Sequence, residues 1–267
     1  MRRPLPAGAV EDDAIRPTAG RRERADRVLV ERGLFDSRAR AQAAILAGLV
    51  SVAGRTLAKP SDMIHADAVI EAREAYEWVS RAGVKLEAAL DAAGLDVSGV
   101  EALDVGSSTG GFTQVLLARG AARVHAVDVG RDQLHARLRG DPRIVSMEET
   151  DIRVVEKGAL PQAAIITIDV SFIGLEQVLP FALSHAAPGA KLVALVKPQF
   201  EVGRDKLSKG GIVKDVEARL AAVERVEQCL ASLGWTVEYR LASPIQGGDG
   251  NEEFLLVAAR HMAARAE

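Results

Sequence analysis

The sequence has little of what secreted and membrane proteins depend on. It contains one cysteine, Cys229, which excludes an internal disulfide and favours a reducing compartment. No apolar run reaches the roughly 18 residues that a membrane-spanning helix needs. The first 20 residues carry arginines and prolines but no apolar central block, so we expect no secretory signal there. These absences predict a soluble, cytoplasmic protein.

Charge is distributed unevenly along the chain. Residues 1–60 carry 12 Lys and Arg against 7 Asp and Glu, whereas the remainder carries 22 against 30. The front is therefore net +5 and the body net −8. A basic front joined to an acidic body suggests that the front binds a polyanion. The alternative is that these arginines are merely solvated surface.

The apolar pattern predicts a tail followed by two folded parts. Residues 1–22 lack apolar periodicity and are predicted to form a flexible tail. Residues 23–79 are predicted to form a small α+β module. In it a helix capped by Ser37 is followed by a hairpin that turns at Ala53-Gly54. The larger part, residues 80–267, is predicted to have an α/β fold.

Short strand-like runs alternate with helix-length segments through this larger part. Such alternation predicts a parallel sheet with helices on both faces. Two further runs, "TVEYRLAS" and "EFLLVAAR", are close enough together to form a terminal antiparallel pair. The runs assigned to the parallel strands are "EALDVG", "RVHAVDV", "RIVSM", "AAIITIDVS" and "KLVALVKP".

A glycine-rich turn follows the first of these strands and leads into a helix. Such a turn lets the backbone approach a ligand and directs free N–H groups at it. Ser108 stands where the dinucleotide fingerprint needs a glycine, and no Gly-Lys-Ser/Thr follows. Asp128 ends the second strand, at the spacing of an acid that binds ribose hydroxyls. A nucleoside cofactor without a pyrophosphate is favoured, and S-adenosylmethionine is the natural candidate.

The expected cofactor contacts follow from this placement. Asp104 and the turn would face the methionine part, Asp128 the ribose and Asp151 the adenine. The alternative is that the glycines only pack a βα turn. The residues assigned to the cofactor are Asp104, Gly106, Ser107, Thr109, Gly110, Gly111, Phe112, Asp128 and Asp151.

Two lysines and two acids lie where a parallel sheet presents ligands, outside the carboxyl ends of its strands. Asp169 and Lys197 end two of the strands, Lys85 lies on the helix before the sheet, and Glu253 opens the last strand. A buried lysine is costly unless it is paired. A neutral lysine can take a proton from a hydroxyl. Taken singly, each residue is better explained as half of a surface ion pair. The placement of all four at such edges is harder to explain by chance.

At these residues the chain resembles the TlyA family. The resemblance is carried by "YEWVSRAGVKLEAALDAAG", "LDVGSSTGGFTQVLLARGA", "IDVSFIGLEQVLP", "LVALVKPQFEVGR" and "SPIQGGDGNEEFLL". It implies an S4 RNA-binding domain followed by an FtsJ-like, Rossmann-like class I methyltransferase. The implied activity is S-adenosylmethionine-dependent 2′-O-methylation of ribose, with cytidine in 16S or 23S ribosomal RNA as the expected target.

The resemblance also implies roles for particular residues. Lys197 would be the base, Asp169 and Glu253 would orient it, and Lys85 would support the hydroxyl or a nearby phosphate. Arg24, Arg38 and Arg81 would contact RNA, and neither a membrane nor a metal is expected to take part. The chain departs from the family's usual sequence between Arg131 and Ala136, and at Asp151, where Asn is usual.

Three other functions are weighed against this one. An RNA-binding assembly factor without catalysis would be expected to have an unfilled cofactor turn or to lack one of the four residues Lys85, Asp169, Lys197 and Glu253. A small-molecule methyltransferase would have no need of an S4-like domain. A membrane-lytic hemolysin, the family's older label, would need an extended amphipathic or membrane-spanning segment. The sequence favours the RNA methyltransferase.

Overall fold

The computed structural model describes residues 21–248 and 250–260. The chain divides into two compact units between Glu77 and Trp78. The predicted tail lies outside the described residues except for Arg21 and Arg22. Within the described ranges, no helix combines the length and apolar character needed to cross a bilayer.

The first unit is a small α+β module, as predicted. The side chain of Ser37 accepts a hydrogen bond from the Arg40 N–H and caps the second helix. The hairpin turns at Ala53 and Gly54, whose φ angles are 49° and 77°. Its elements are β1 (Arg22–Arg24), α1 (Ala25–Glu31), α2 (Arg38–Leu46), β2 (Val50–Val52), β3 (Arg55–Thr56), β4 (Met63–His65) and β5 (Ile70–Ala72).

Two small sheets complete this unit. Strand β1 pairs antiparallel with β4, and the second sheet has the order β3-β2-β5. The sequence did not indicate β1, because its three residues are charged. The core lies between the helices and these strands, and includes Leu29 and Ile45, both almost fully buried.

The second unit is built on one seven-stranded sheet with the order β11-β12-β10-β9-β6-β7-β8. Its strands are β6 (Glu101–Val105), β7 (Arg123–Val127), β8 (Ile144–Met147), β9 (Ala163–Ile168), β10 (Ala186–Val196), β11 (Trp235–Ala242) and β12 (Phe254–Arg260). Its helices are α3 (Ala82–Ala93), α4 (Gly111–Ala118), α5 (Leu179–Ala182), α6 (Pro198–Glu201) and α7 (Val216–Ser232).

Helices cover both faces of this sheet, so the predicted α/β fold is confirmed. Alternate residues of a strand point to opposite faces. Leu103, Ile166 and Leu192 pack in one cluster with Leu179 of α5 and Val226 of α7. Helices α3 and α4 pack against each other; α3 contacts β12, and α4 contacts β6 and β7.

The terminal antiparallel pair is also confirmed, but its place in the sheet was not predicted. Strand β12 lies between β10 and β11 and runs antiparallel to both. Strands β6, β7, β8, β9 and β10 are mutually parallel. The amino end of β12 therefore lies at the same edge as the carboxyl ends of the parallel strands.

Candidate active site

The glycine turn is compact because its backbone lies against neighbouring elements. Gly106 has φ +81°, and a side chain there would collide with the backbone carbonyl of Asp169. Gly110 has φ +89° and lies against Leu138, while Gly111 lies against Ser80. Gly106 thus allows the ends of β6 and β9 to approach each other. Gly110 and Gly111 allow the turn to pack closely against these neighbours.

A cleft of about 710 Å³ opens beside this turn, at the carboxyl ends of β6, β7 and β9. Its volume suits a nucleoside-sized ligand. Three of the residues assigned to the cofactor line it: Gly106, Asp128 and Asp151. The other residues assigned to the cofactor, all within the described ranges, lie in or behind the turn: Asp104, Ser107, Thr109, Gly110, Gly111 and Phe112.

Asp128 holds the turn in place as well as facing the cleft. Its Oδ2 accepts a hydrogen bond from the Ser108 N–H at 2.8 Å, and its Oδ1 accepts one from the Gly130 N–H at 2.7 Å. Ser108 has φ +45°, which is uncommon for a residue with a side chain. Its hydroxyl donates to Gln133, which lines the cleft and which the sequence did not indicate.

Asp151 lines the cleft, and its negative charge is paired with the guanidinium of Arg153. It caps a short 3₁₀ helix, Ile152–Val154, by accepting from the Arg153 N–H. The Arg153 guanidinium lies 2.6 Å from its carboxylate and holds the pKa of Asp151 below its ordinary value. Because its oxygens also accept these bonds, Asp151 offers a ligand less free charge than a lone carboxylate would.

Asp104 is not at the end of its strand, where the sequence analysis put it. Val105 ends β6, and Asp104, which precedes it, is fully buried with its side chain against Thr113 of α4. Its two oxygens accept from the hydroxyls of Thr113 (2.6 Å) and Thr167 (2.8 Å). The structure therefore corrects the predicted contact with the methionine part, and gives Asp104 a place behind the turn.

Burial raises the pKa of Asp104 from 3.8 to about 6, and the nearby Asp169 adds to this rise. A carboxyl whose pKa is raised on folding stabilises the fold when protonated, and that stabilisation is lost as the pH rises through the folded value. From pH 4 to 8, the wild type should lose on the order of 3 kcal/mol relative to Asp104→Asn, which does not titrate.

Denaturant unfolding followed by tryptophan fluorescence measures this difference, because Trp78 and Trp235 both lie in the second unit. The exposed Asp205→Asn serves as the control. Parallel stability curves for the wild type and Asp104→Asn from pH 4 to 8 would contradict the raised pKa.

Residues 131–136, where the chain departs from the family's usual sequence, are held in place by the carboxylate of Glu148. The backbone N–H groups of Asp132, Gln133 and Leu134 donate to Glu148 at 2.7 to 2.9 Å. These bonds hold the pKa of Glu148 below its ordinary value. Asp132 has φ +53°, a conformation that glycine adopts more easily. Glu148 thus keeps this edge of the cleft, with Gln133, in a fixed position.

Strand topology brings the four predicted catalytic residues to one edge of the sheet. Asp169 follows β9 and Lys197 follows β10, and these neighbouring strands are parallel. Glu253 precedes β12, whose Phe254 is paired with Val196 at the end of β10. Lys85 lies on α3, which contacts β12.

The four side chains form two ion pairs. The Nζ of Lys197 lies 2.6 Å from Oδ1 of Asp169, and these side chains are 12% and 15% exposed. Lys85 pairs with Glu253, at 9% and 3% exposure. Oδ1 of Asp169 is buried without an aligned hydrogen-bond donor among the described residues. Glu253, predicted to orient Lys197, instead binds Lys85.

An exposed aromatic residue at the cleft was not predicted from the sequence. Phe172 lines it, is 91% exposed and has φ +66°. Such a φ is unusual for a bulky residue and marks a strained position. The ring centroids of Phe172 and Phe200 are 5.1 Å apart. Phe172 lies in "IDVSFIGLEQVLP", one of the segments that carry the resemblance, but no sequence signal distinguishes it from a core residue.

The first unit has its own cluster of arginines. The buried carboxylate of Asp26 accepts two hydrogen bonds from Arg24, at 3.0 Å each, and one from Arg38 at 2.8 Å. These bonds hold the pKa of Asp26 well below its usual range. Both arginines stay half exposed, at 46% and 58%. In the second unit, a guanidinium nitrogen of Arg81 lies near Gly248, in the loop before β12.

Sequence profiles of two families match the chain. The profile of the FtsJ-like methyltransferases matches residues 78–260, and that of the S4 domain matches residues 23–70. The S4 match lies within the first structural unit, and the methyltransferase match lies within the second.

Individual proteins match over most of the chain. The 16S/23S rRNA (cytidine-2′-O)-methyltransferase TlyA of Mycobacterium tuberculosis is 44% identical, over 88% of this chain and 89% of its own. The 23S rRNA (cytidine-2′-O)-methyltransferase TlyA of Campylobacter jejuni is 40% identical over 66% of this chain and 69% of its own. The solved structure of a candidate hemolysin from Streptococcus thermophilus superposes with a TM-score of 0.71, at 39% identity, over 91% of this chain and 90% of that one.

The extent of these matches confirms the resemblance seen in the sequence. This chain therefore belongs to the TlyA family of FtsJ-like methyltransferases that carry an S4 domain.

Proposed function

We propose that this protein transfers a methyl group from S-adenosylmethionine to the 2′-hydroxyl of a ribose in ribosomal RNA. The observation that carries the proposal is the pair of Lys197 and Asp169 beside a cleft of nucleoside size. The related enzymes named above methylate cytidine in 16S or 23S rRNA, which makes cytidine the proposed target. On this proposal the protein acts in the cytoplasm, where ribosomal subunits are found.

The residues of the cleft suit this cofactor. Asp128 faces the cleft and has acceptor capacity left for ribose hydroxyls. Gly106 keeps the floor of the cleft free of side chains, and Asp169 lines the cleft beside it. Asp128 would hold the ribose, Asp151 and Gln133 would lie toward the base, and the turn would lie against the methionine part. Bound S-adenosylmethionine supplies an electrophilic methyl group on a sulfonium sulfur.

Lys197 would perform the proton transfer. In its neutral form, Nζ accepts the proton of the 2′-hydroxyl, so that an O–H bond breaks and an N–H bond forms. Asp169 holds Nζ next to the cleft and stabilises the ammonium that results. The ion pair of Lys85 and Glu253 would place a second cation at the same edge, near the hydroxyl or a neighbouring phosphate. Most of the rate gain would come from alignment.

Each of the two units carries exposed cations of the kind that bind an RNA backbone. Arg24 and Arg38 are held side by side by Asp26 and could present one fork of donors to phosphate. In the second unit, four exposed cations after α6 form no ion pair among the described residues. Local basic surfaces of this kind bind RNA whatever the net charge. These four are Arg204, Lys206, Lys209 and Lys214.

Phe172 would stack on the base of the target nucleotide once that base is turned out of its RNA helix. Stacking contributes about 1–3 kcal/mol per base. Phe172→Ala should therefore raise KM for RNA about tenfold and change the Kd for S-adenosylmethionine much less, because the ring is mostly exposed at the edge of the cleft. Phe181→Ala is the control, because this 42% exposed ring lies on α5. Equal KM values for both variants would contradict the stacking role.

The proposed function is tested with ribosomal subunits from cells that lack this protein. Subunits are incubated with radiolabelled S-adenosylmethionine and the full-length chain, and label is expected in the RNA fraction. Cofactor binding without label in any subunit or ribosome would point to a different methyl acceptor. Absence of cofactor binding would leave an RNA-binding protein without catalysis.

A further inference from the structure

Lys197 has a second partner that differs in kind from Asp169. Its Nζ donates a hydrogen bond to Oγ of Ser171 at 2.8 Å. The contact with Asp169 is shorter, at 2.6 Å, but it is poorly aligned for a hydrogen bond. Charge attraction has little directional preference, whereas a hydrogen bond does. Among the residues that the structure describes, Ser171 is thus the aligned acceptor that sets the orientation of the amine.

Orientation matters because a neutral amine accepts a proton at one place only. The nitrogen carries two N–H groups and one lone pair in a tetrahedral arrangement. When one N–H is directed at Ser171 and the other is attracted by Asp169, the lone pair is confined to the remaining direction. Without Ser171, the amine is free to rotate about the Cε–Nζ bond, and its lone pair points in several directions.

Tertiary contacts around Ser171 fix its position, so that it can orient the amine of Lys197. It lies in the segment after β9, which is braced against α6 next to Lys197. Beside Ser171, the ring of Phe172 packs on Phe200. Further along, the N–H of Leu175 donates to Glu201 at 2.9 Å. The Phe200 N–H in turn donates to the carbonyl of Lys197 at 2.9 Å. The contacts that hold the Ser171 segment are therefore connected to the backbone of Lys197.

We propose that Ser171 is a positioning residue for Lys197, which directs the lone pair of the neutral amine toward the acceptor hydroxyl. This inference rests on the proposed function and adds a residue to it. The proton passes from the hydroxyl oxygen to Nζ, and Ser171 keeps its own proton throughout. No role was predicted for this serine from the sequence.

The first test measures single-turnover methyl transfer at saturating RNA and cofactor. Ser171→Ala should lower the rate constant about tenfold, the effect of one lost hydrogen bond to a charged or reacting group. KM for RNA and the Kd for S-adenosylmethionine should stay within about twofold of wild type, since the substrate contacts remain. Ser171→Thr keeps an Oγ and should recover most of the rate.

The control is Ser232→Ala, which removes a hydroxyl at the end of α7 that likewise makes one hydrogen bond. An unchanged rate in Ser171→Ala would overturn the proposal. So would equal losses in Ser171→Ala and Ser171→Thr accompanied by weaker cofactor binding, because Ser171 would then serve the cleft and not the base.

The second test needs no RNA. Reductive methylation with formaldehyde, followed by mass spectrometry of the Lys197 peptide, reports how freely this amine reacts. Ser171→Ala should make Lys197 react several-fold faster, and Ser232→Ala should leave the rate unchanged. A changed reactivity together with an inactive wild type would refute the proposed function and support the positioning role. An unchanged reactivity in an active enzyme would refute the positioning role alone.

Discussion

Replacing Lys197 by alanine is expected to abolish methyl transfer while the fold and the cofactor cleft stay intact. A general base contributes about 10²–10⁴ to a rate, and alanine offers no substitute. Lys197 follows β10 and does not line the cleft, so the affinity for S-adenosylmethionine should be retained. Single-turnover transfer to ribosomal RNA and calorimetric cofactor binding measure the two properties separately.

Two further variants make this test specific. Lys197→Arg keeps the positive charge but stays protonated, so it should be as inactive as alanine if the residue acts as a base. Lys191→Ala removes a lysine from the same strand, where it pairs with Glu238, and should leave the rate unchanged. Activity in Lys197→Arg close to that of the wild type would show that the charge matters and the proton transfer does not.

Glu253→Ala is expected to destabilise the second unit by about 3–5 kcal/mol, because it leaves the buried ammonium of Lys85 without a partner. The double variant Lys85→Met/Glu253→Leu removes both charges and should regain most of that loss. Both variants should be inactive. Tryptophan fluorescence during denaturant unfolding follows the change, since both tryptophans lie in this unit.

The double variant separates stability from catalysis. A stable but inactive double variant is the predicted result, and it would assign the pair a catalytic role in addition to a structural one. Glu253→Ala with wild-type stability would instead mean that water reaches Lys85 in solution, against its 9% exposure. The exposed pair of Arg27 and Glu31 in the first unit offers a contrast, because surface pairs contribute about 0–1 kcal/mol.

The sequence identified the edge of the sheet where the site lies. Buried parallel strands are short apolar runs that end in polar residues, so Asp169 and Lys197 could be placed at strand ends directly. Their partners could not be foreseen in the same way. Glu253 meets Lys85, and the pairing depends on the insertion of β12 between β10 and β11, which no local pattern encodes.

The prediction for Asp104 was wrong for a similarly physical reason. Side chains within a strand point alternately to the two faces of the sheet, whereas a residue just beyond the strand end can face a ligand. The strand extends to Val105, so Asp104 lies inside it and its side chain is buried in the core. Phe172 and Ser171 went unnoticed because their roles depend on a loop conformation that only tertiary contacts with α6 determine.

The chemical position of the transferred methyl group distinguishes 2′-O-methylation from methylation of a base. Labelled ribosomal RNA is hydrolysed with alkali, which requires a free 2′-hydroxyl to cleave the chain. If the enzyme methylates the 2′-hydroxyl of cytidine, the label will be recovered in an alkali-resistant dinucleotide whose 5′ nucleoside is cytidine, and Lys197→Ala will yield none. Label recovered in mononucleotides would place the methyl group on a base and would refute 2′-O-methylation.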